Sequence, residues 1–293
     1  MKKLFLFFLL SATLLSCKKN DNIDDPNIPI EEQDVNYLFH QVNAYNTIKD
    51  VFILSVAAGS NKNISAYNTL NNSLSIIKDS ISVVDTMKII ISYGTNIVLC
   101  NDNKYRSGEM VLKYNKTKSF SDSTTSFKIN ILNLRMDSVT INGIITVSNK
   151  GILSDTLSWN VASSLVLATN NLKSLSFNGN HSVKLLNTII AYLNNLKQVN
   201  FNVAHFGIKG QATGTNTLKK TYSELIYPLI EFDYNCRPVT ANNFISPFIA
   251  GKVSHYINMM FSNDVSYIDF GNRTCDDVMI LKRNGYSLTT NFR

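Results

Sequence analysis

The sequence predicts a mainly β protein, an antiparallel open sheet or sandwich that carries one N-terminal helix. Three observations support this. Short alternating apolar runs divided by polar turns fill the chain after Gly59. One earlier stretch, Asp34 to about Leu54, instead repeats its apolar residues at three- and four-residue steps. No strand–helix unit recurs, so the element order does not suggest a parallel α/β layout.

The first element is an export signal, residues 1–16. Lys2 and Lys3 precede the apolar run Leu4 to Leu10, and Leu14-Leu15-Ser16 leads to Cys17. A permanent membrane helix needs roughly 20 apolar residues, and this run falls well short. Leu14-Leu15-Ser16-Cys17 resembles a lipobox, which implies lipidation of Cys17 and removal of the preceding peptide. Residues 17–33 are polar and carry Pro26 and Pro29, the composition of a flexible tether. Asp21, Asp24 and Asp25 resemble the surface-export signal of Bacteroidota lipoproteins, and Lys18 resembles the pattern that directs lipoproteins to the outer membrane. The expected location is therefore the outer membrane, lipid-anchored and exposed at the cell surface, with the membrane as a partner through the N-terminal lipid.

The chain has 293 residues, 44% apolar and 17% charged, a balance that suits an ordered globular protein. Its formal charge of +7 is spread along the sequence without a basic block, so no nucleic-acid partner is expected. With Cys17 lipidated, Cys100, Cys236 and Cys275 remain, an odd number in an exported chain. No Cys-x-x-Cys occurs.

The domain is expected over residues 34–293. In its helix Leu38, Val42, Tyr45, Ile48 and Phe52 form an apolar stripe, Asp34 is placed to cap the first turn, and His40 lies off the stripe. Strands follow where Phe127, Ile129 and Ile131 alternate, then Leu157, Trp159 and Val161, then Phe201 and Val203, then Val265 and Tyr267. Asn142-Gly143 and Asn178-Gly179 have hairpin-turn chemistry. Ser182 to Val199 fits a strand or a helix. An internal echo suggests two related halves. Tyr93-Gly94, Cys100, Asp102 and Arg106-Ser107-Gly108 parallel Phe270-Gly271, Cys275, Asp276 and Arg283-Asn284-Gly285.

Catalytic signals are sparse. His40, His181, His205 and His255 form no metal-binding pair, and neither a nucleophile elbow nor a phosphate loop is present. No metal or cofactor is expected, and no residue is assigned as catalytic. Asp269, Asp276 and Asp277 could hold calcium, but they read more simply as turn residues bonding their own backbone. Glu231 and Asp233 share one side of a strand and are expected to face solvent; paired carboxylates can also hydrolyse glycosides. A groove lined by Trp159 and tyrosines would favour that second reading.

Several of these residues also carry a family resemblance. Asp269-Phe270-Gly271 before Cys275-Asp276, the run Gly210-Gln211-Ala212-Thr213-Gly214-Thr215-Asn216, and Val139-Thr140-Ile141-Asn142-Gly143 resemble an uncharacterised family of β-rich Bacteroidota outer-membrane lipoproteins. The resemblance implies location and β architecture. With it comes an expected Cys236–Cys275 disulfide, since each cysteine ends or follows a β-type run; Cys100–Cys275 or three free thiols are the alternatives. Five Asp-Ser/Thr sites, at Ser80, Thr86, Ser123, Ser138 and Thr156, resemble the O-glycan acceptor motif of exported Bacteroidota proteins. The functional expectation is a non-enzymatic structural or binding protein of the envelope; the alternative is a carbohydrate-binding or glycan-hydrolysing surface lipoprotein.

Overall fold

A computed structural model describes residues 32–59, 75–79, 86–102, 104–115, 117–118, 122–153, 156–169, 174–187, 204–217, 219–233, 236, 248–259, 262–273, 278–283 and 286–291. Helix α1 (Glu32–Gly59) opens the fold, followed by β1 (Ser75–Asp79), β2 (Thr86–Leu99), β3 (Tyr105–Asn115) and β4 (Ser126–Met136). Next come β5 (Val139–Leu153), β6 (Thr156–Thr169), β7 (Ser174–Leu185), β8 (His205–Thr215) and β9 (Thr221–Asp233). The last strands are β10 (Phe248–Met259), β11 (Ser262–Asn272), β12 (Val278–Arg283) and β13 (Tyr286–Asn291). All thirteen form one open antiparallel sheet, and each strand pairs with its neighbours in sequence. The single sheet replaces the sandwich alternative.

The sheet curls around α1. Residues from Gln41 to Ala58 are buried on every side of the helix, with Asn43 alone partly exposed. Helix side chains reach strands from β3 to β9. Asp50 contacts Arg106 on β3, and Thr47 faces Met136 on β4. Phe52 packs edge-on against Trp159 on β6 and Phe206 on β8, while Tyr45 meets Phe177 on β7 and Glu224 on β9. The expected one-sided stripe is therefore a helix enclosed all round, as its off-stripe residues Val51, Ile53, Leu54, Val56 and Ala57 require. The helix also starts at Glu32, which puts Asp34 inside the first turn rather than before it.

Strand alternation follows the sequence in β4 and β6. Phe127, Ile129 and Ile131 point inward and are buried, as are Leu157, Trp159 and Val161. In β11 the inward residues are Ile268 and Phe270, so Tyr267 belongs to the outer face, where it is exposed. Phe201 and Val203 lie outside the described residues. Ser182 to Leu185 closes β7, which settles that part of the ambiguous segment as strand.

Both Asn-Gly pairs correct the expectation of turns, because each sits inside a strand. Gly143 pairs with Ile131 and Leu165, and a Cβ there would lie 2.2 Å from the Ser164 carbonyl oxygen. Its φ of 141° is one that side chains disfavour. Asn142 Oδ1 meanwhile accepts the Asn133 N–H at 2.8 Å, where β4 slips register against β5. Asn-Gly thus serves a bulge here and not a hairpin end.

Candidate functional site

Three constellations gather the chemistry-bearing side chains. The first joins α1 to the β2–β3 hairpin. Arg106 donates to both oxygens of Asp102, at 2.6 and 2.7 Å, and to Asp50 Oδ2 at 3.0 Å. Lys49 lies 3.3 Å from the other Asp50 oxygen and donates to Asn46 Oδ1. The Arg106 guanidinium also stands 5.8 Å from the centre of the Tyr93 ring. Burial pushes the Asp50 carboxyl up, but Lys49, Lys104 and Arg106 outweigh it and hold it well below the usual carboxylate range. Burial pushes the Tyr93 phenol up, and the Cys100 thiol with it. Cys100 is buried, so the cluster offers no exposed nucleophile. What it does is fasten the helix to the sheet.

The second constellation lies deeper. Tyr45 donates its hydroxyl proton to Glu224 Oε2 at 2.7 Å. Burial pushes Glu224 up to about 8, against the opposing effect of that hydrogen bond. His181 stacks on Phe177 with ring centres 6.0 Å apart and meets Tyr45 edge-on. Neither of its ring nitrogens has a hydrogen-bond partner among the described residues, and burial pulls it down to about 4. Gly179 makes room for this stack, since a Cβ there would strike His181, Phe177 and Ser163. Both Glu224 and His181 are only 2% exposed, so neither reaches solvent.

A pH dependence follows from Glu224. Its folded value is raised above the unfolded one, so its contribution is complete below about 4.5 and is lost as pH rises through about 8. His181 acts with the opposite sign, losing its contribution as pH falls from 6.5 toward 4. Above pH 6.5 only the Glu224 effect of the two remains. The thermal midpoint is expected to fall between pH 6.5 and 8.5, and Glu224→Gln to flatten that fall. Parallel wild-type and variant profiles in differential scanning calorimetry would refute this.

The third constellation is on the outer face. Phe232 points inward and stacks on Phe206, which turns its neighbour Glu231 outward. Glu231 is nevertheless only 5% exposed, a correction to the expectation that it faces solvent. Arg273 holds both its oxygens, at 2.7 and 3.1 Å, and His205 Nε2 lies 3.0 Å from Oε2. Beside them a depression of about 270 Å³ is lined by Pro228, Leu229, Gly251, Lys252 and Gly271. Asp233 stands opposite His205 in the ladder. Glycoside hydrolysis needs one carboxylic acid free to protonate a leaving oxygen. Both Glu231 oxygens are engaged by Arg273 and His205, so Glu231 is not that free acid in this arrangement. Trp159 is buried against Phe52 and Phe206 and does not present its ring at the surface.

The remaining expected sites divide between described and undescribed residues. Asp269 Oδ1 accepts the Gly271 N–H at 3.1 Å, the local turn bond anticipated for it, and its other oxygen lies 3.3 Å from Lys252. Asp276 and Asp277 lie outside the described residues. So do Cys17, Cys275 and Ser80, together with the export signal and most of the tether. Cys236 is disulfide-bonded, and its partner lies outside the described residues; Cys100 is a free thiol, so the Cys100–Cys275 pairing does not occur. Thr86 and Thr156 open β2 and β6, and Ser123 and Ser138 sit in exposed turns. No described acceptor is in mid-strand.

The sequence signalled only part of this. Arg106 and Asp102 belonged to the noted hairpin, but the Lys49-Asp50 pair was masked by the usual meaning of charge on a helix, which is solvent. Comparison with protein-family models, curated proteins and solved structures gives no match, so the geometry alone carries the functional reading.

Proposed function

We propose that the chain is a lipid-anchored outer-membrane protein of the Bacteroidota type, tethered through Cys17, with a non-enzymatic structural or binding role performed by the outer face of its sheet. One observation carries this reading: α1 fills the concave side of the sheet, the space in which a ligand-binding barrel keeps its cavity. The three polar constellations are internally paired or packed, which leaves the convex face as the working surface. That face carries Lys113, Lys128, Asn178, Asn180 and Gln211, all exposed, interspersed with exposed Leu132, Val166 and Leu225, a mixed polar and apolar surface. Attachment through acyl chains asks nothing of that surface, because two or three chains hold a protein without its entering the bilayer.

The test uses the full chain expressed with its signal. Wild-type protein is expected in the detergent phase on Triton X-114 partitioning, with a fatty-acylated Cys17 peptide by mass spectrometry. Cys17→Ser is expected to stay unprocessed or move to the aqueous phase. A wild-type chain that begins at Met1 without acylation, and a variant that partitions identically, would overturn the reading.

A further inference from the structure

Two ion pairs border the depression on the outer face, and both have the same polarity. Glu231 holds Arg273 at 2.7 Å, and Lys252 lies 3.3 Å from Asp269 Oδ2. The carboxylates are the sunken members, with side chains 7% and 13% exposed, whereas Arg273 is 70% and Lys252 47% exposed. Glu231 and Asp269 therefore act as anchors, and an arriving ligand meets the cations. Lys282 adds a third from β12, with Nζ 4.0 Å from Asp269 Oδ2. Arg273 spends Nε and Nη2 on Glu231, and Nη1 takes part in none of these bonds.

Backbone geometry builds the hollow between these pairs. Glu231 faces Ala250 on β10, Ala250 faces Asn272 on β11, and Lys252 faces Asp269, with a register slip between Ala250 and Lys252. Gly251 fills the slip at φ 109°, and a Cβ there would lie 2.3 Å from the Leu229 carbonyl oxygen. Gly271 follows at φ 96° and Arg273 at 73°, a region that a long side chain rarely adopts. Backbone strain kept beside a cavity points to groups positioned in advance of a ligand. Pro228, Leu229 and Ala250 give the hollow an apolar lining. At about 270 Å³ it is smaller than a drug-sized pocket, which restricts the ligand to a short body.

We infer that the depression binds a small organic carboxylate with a short apolar body. One carboxylate oxygen accepts from Arg273 Nη1 and the other from Lys252 Nζ, while the carbon body rests on Pro228, Leu229 and Ala250. The exposed charged groups are donors, which selects an anion. The Arg273 fork is already used on Glu231, so two single donors remain, matched to two oxygens and not to the three of a phosphate. The apolar lining asks for carbon beyond the carboxylate. The inference rests on the outer face being the binding face and is independent of the lipid anchor.

The experiment titrates the full-length protein in detergent with butyrate and with butyramide, its neutral counterpart, and follows the arginine side-chain N–H signals by NMR. The Arg273 signal is assigned by its loss in Arg273→Lys. Butyrate shifts that signal saturably, and butyramide leaves it in place. Lys252→Gln weakens butyrate binding by about tenfold, Lys252→Arg retains it, and Ala250→Leu abolishes it by filling the hollow without changing a charge. Lys128→Gln, elsewhere on the same face, leaves binding unchanged. Matching thermal midpoints show that the fold is intact; where that of Ala250→Leu falls, the Lys252 pair of variants decides. Equal binding of butyrate and butyramide overturns the inference, as does unchanged affinity of Lys252→Gln. Inorganic phosphate that binds more tightly than butyrate also overturns it, because the apolar lining then contributes nothing. Tighter binding of N-acetyl-leucine supports the site and assigns its carboxylate to a peptide terminus. A wild-type chain that binds none of these overturns the inference, while the Cys17→Ser partition still decides anchoring.

Discussion

Asp50→Ala is expected to lower folding stability by about 3–5 kcal/mol, as breaking one partner of a buried ion pair commonly does. Asp50 is the only carboxylate that α1 sends into the cluster with Arg106 and Lys49, and the side chains of all three are at most 3% exposed. Without it Lys49 loses the carboxylate 3.3 Å away and Arg106 loses one of its two carboxylate contacts described above. The cost is therefore mostly an uncompensated charge and not a lost attraction. A second change separates the two. Arg106→Met in the Asp50→Ala background removes one stranded cation, so the double variant should lose less than the sum of the single changes. Urea unfolding of the four proteins measures this. A loss under about 1 kcal/mol for Asp50→Ala would mean that the cluster is hydrated and the helix is not enclosed.

Phe52→Ala is expected to cost about 3–5 kcal/mol by a different route, cavity formation. Phe52 is buried, with its ring centre 5.1 Å from that of Trp159 and 5.8 Å from that of Phe206. Phe206 in turn stacks on Phe232, so the removed ring supports aromatic contacts on three strands. Phe52→Leu should cost distinctly less, because it keeps most of the volume and loses only the edge-to-face geometry. Equal destabilisation by the two changes in urea unfolding would show that ring geometry and not filled volume holds this part of the core.

The sequence revealed period more readily than partnership. The alternation of Phe127, Ile129 and Ile131 was legible because one face of β4 is apolar and the other carries Lys128 and Asn130. The β11 pattern of Val265 and Tyr267 led to the outer face, because Ser266 interrupts the inner one. Asn142-Gly143 misled for a physical reason: a hairpin turn and a bulge both call for a residue with permissive φ beside a short side chain that bonds the backbone. The helix was legible but its environment was not. Lys49 and Asp50 look like a solvated face until a partner such as Arg106 is brought across from β3.

The unbroken neighbour-to-neighbour order of the strands has a consequence for how the chain is assembled and how it can change. A meander grows by adding one hairpin to a free edge. Pairs can be gained or shed at either margin without rethreading what is already built. The helix is the exception. Tyr45 meets Glu224 across 179 residues of chain. Enclosure of the helix is therefore complete only once β9 is in place.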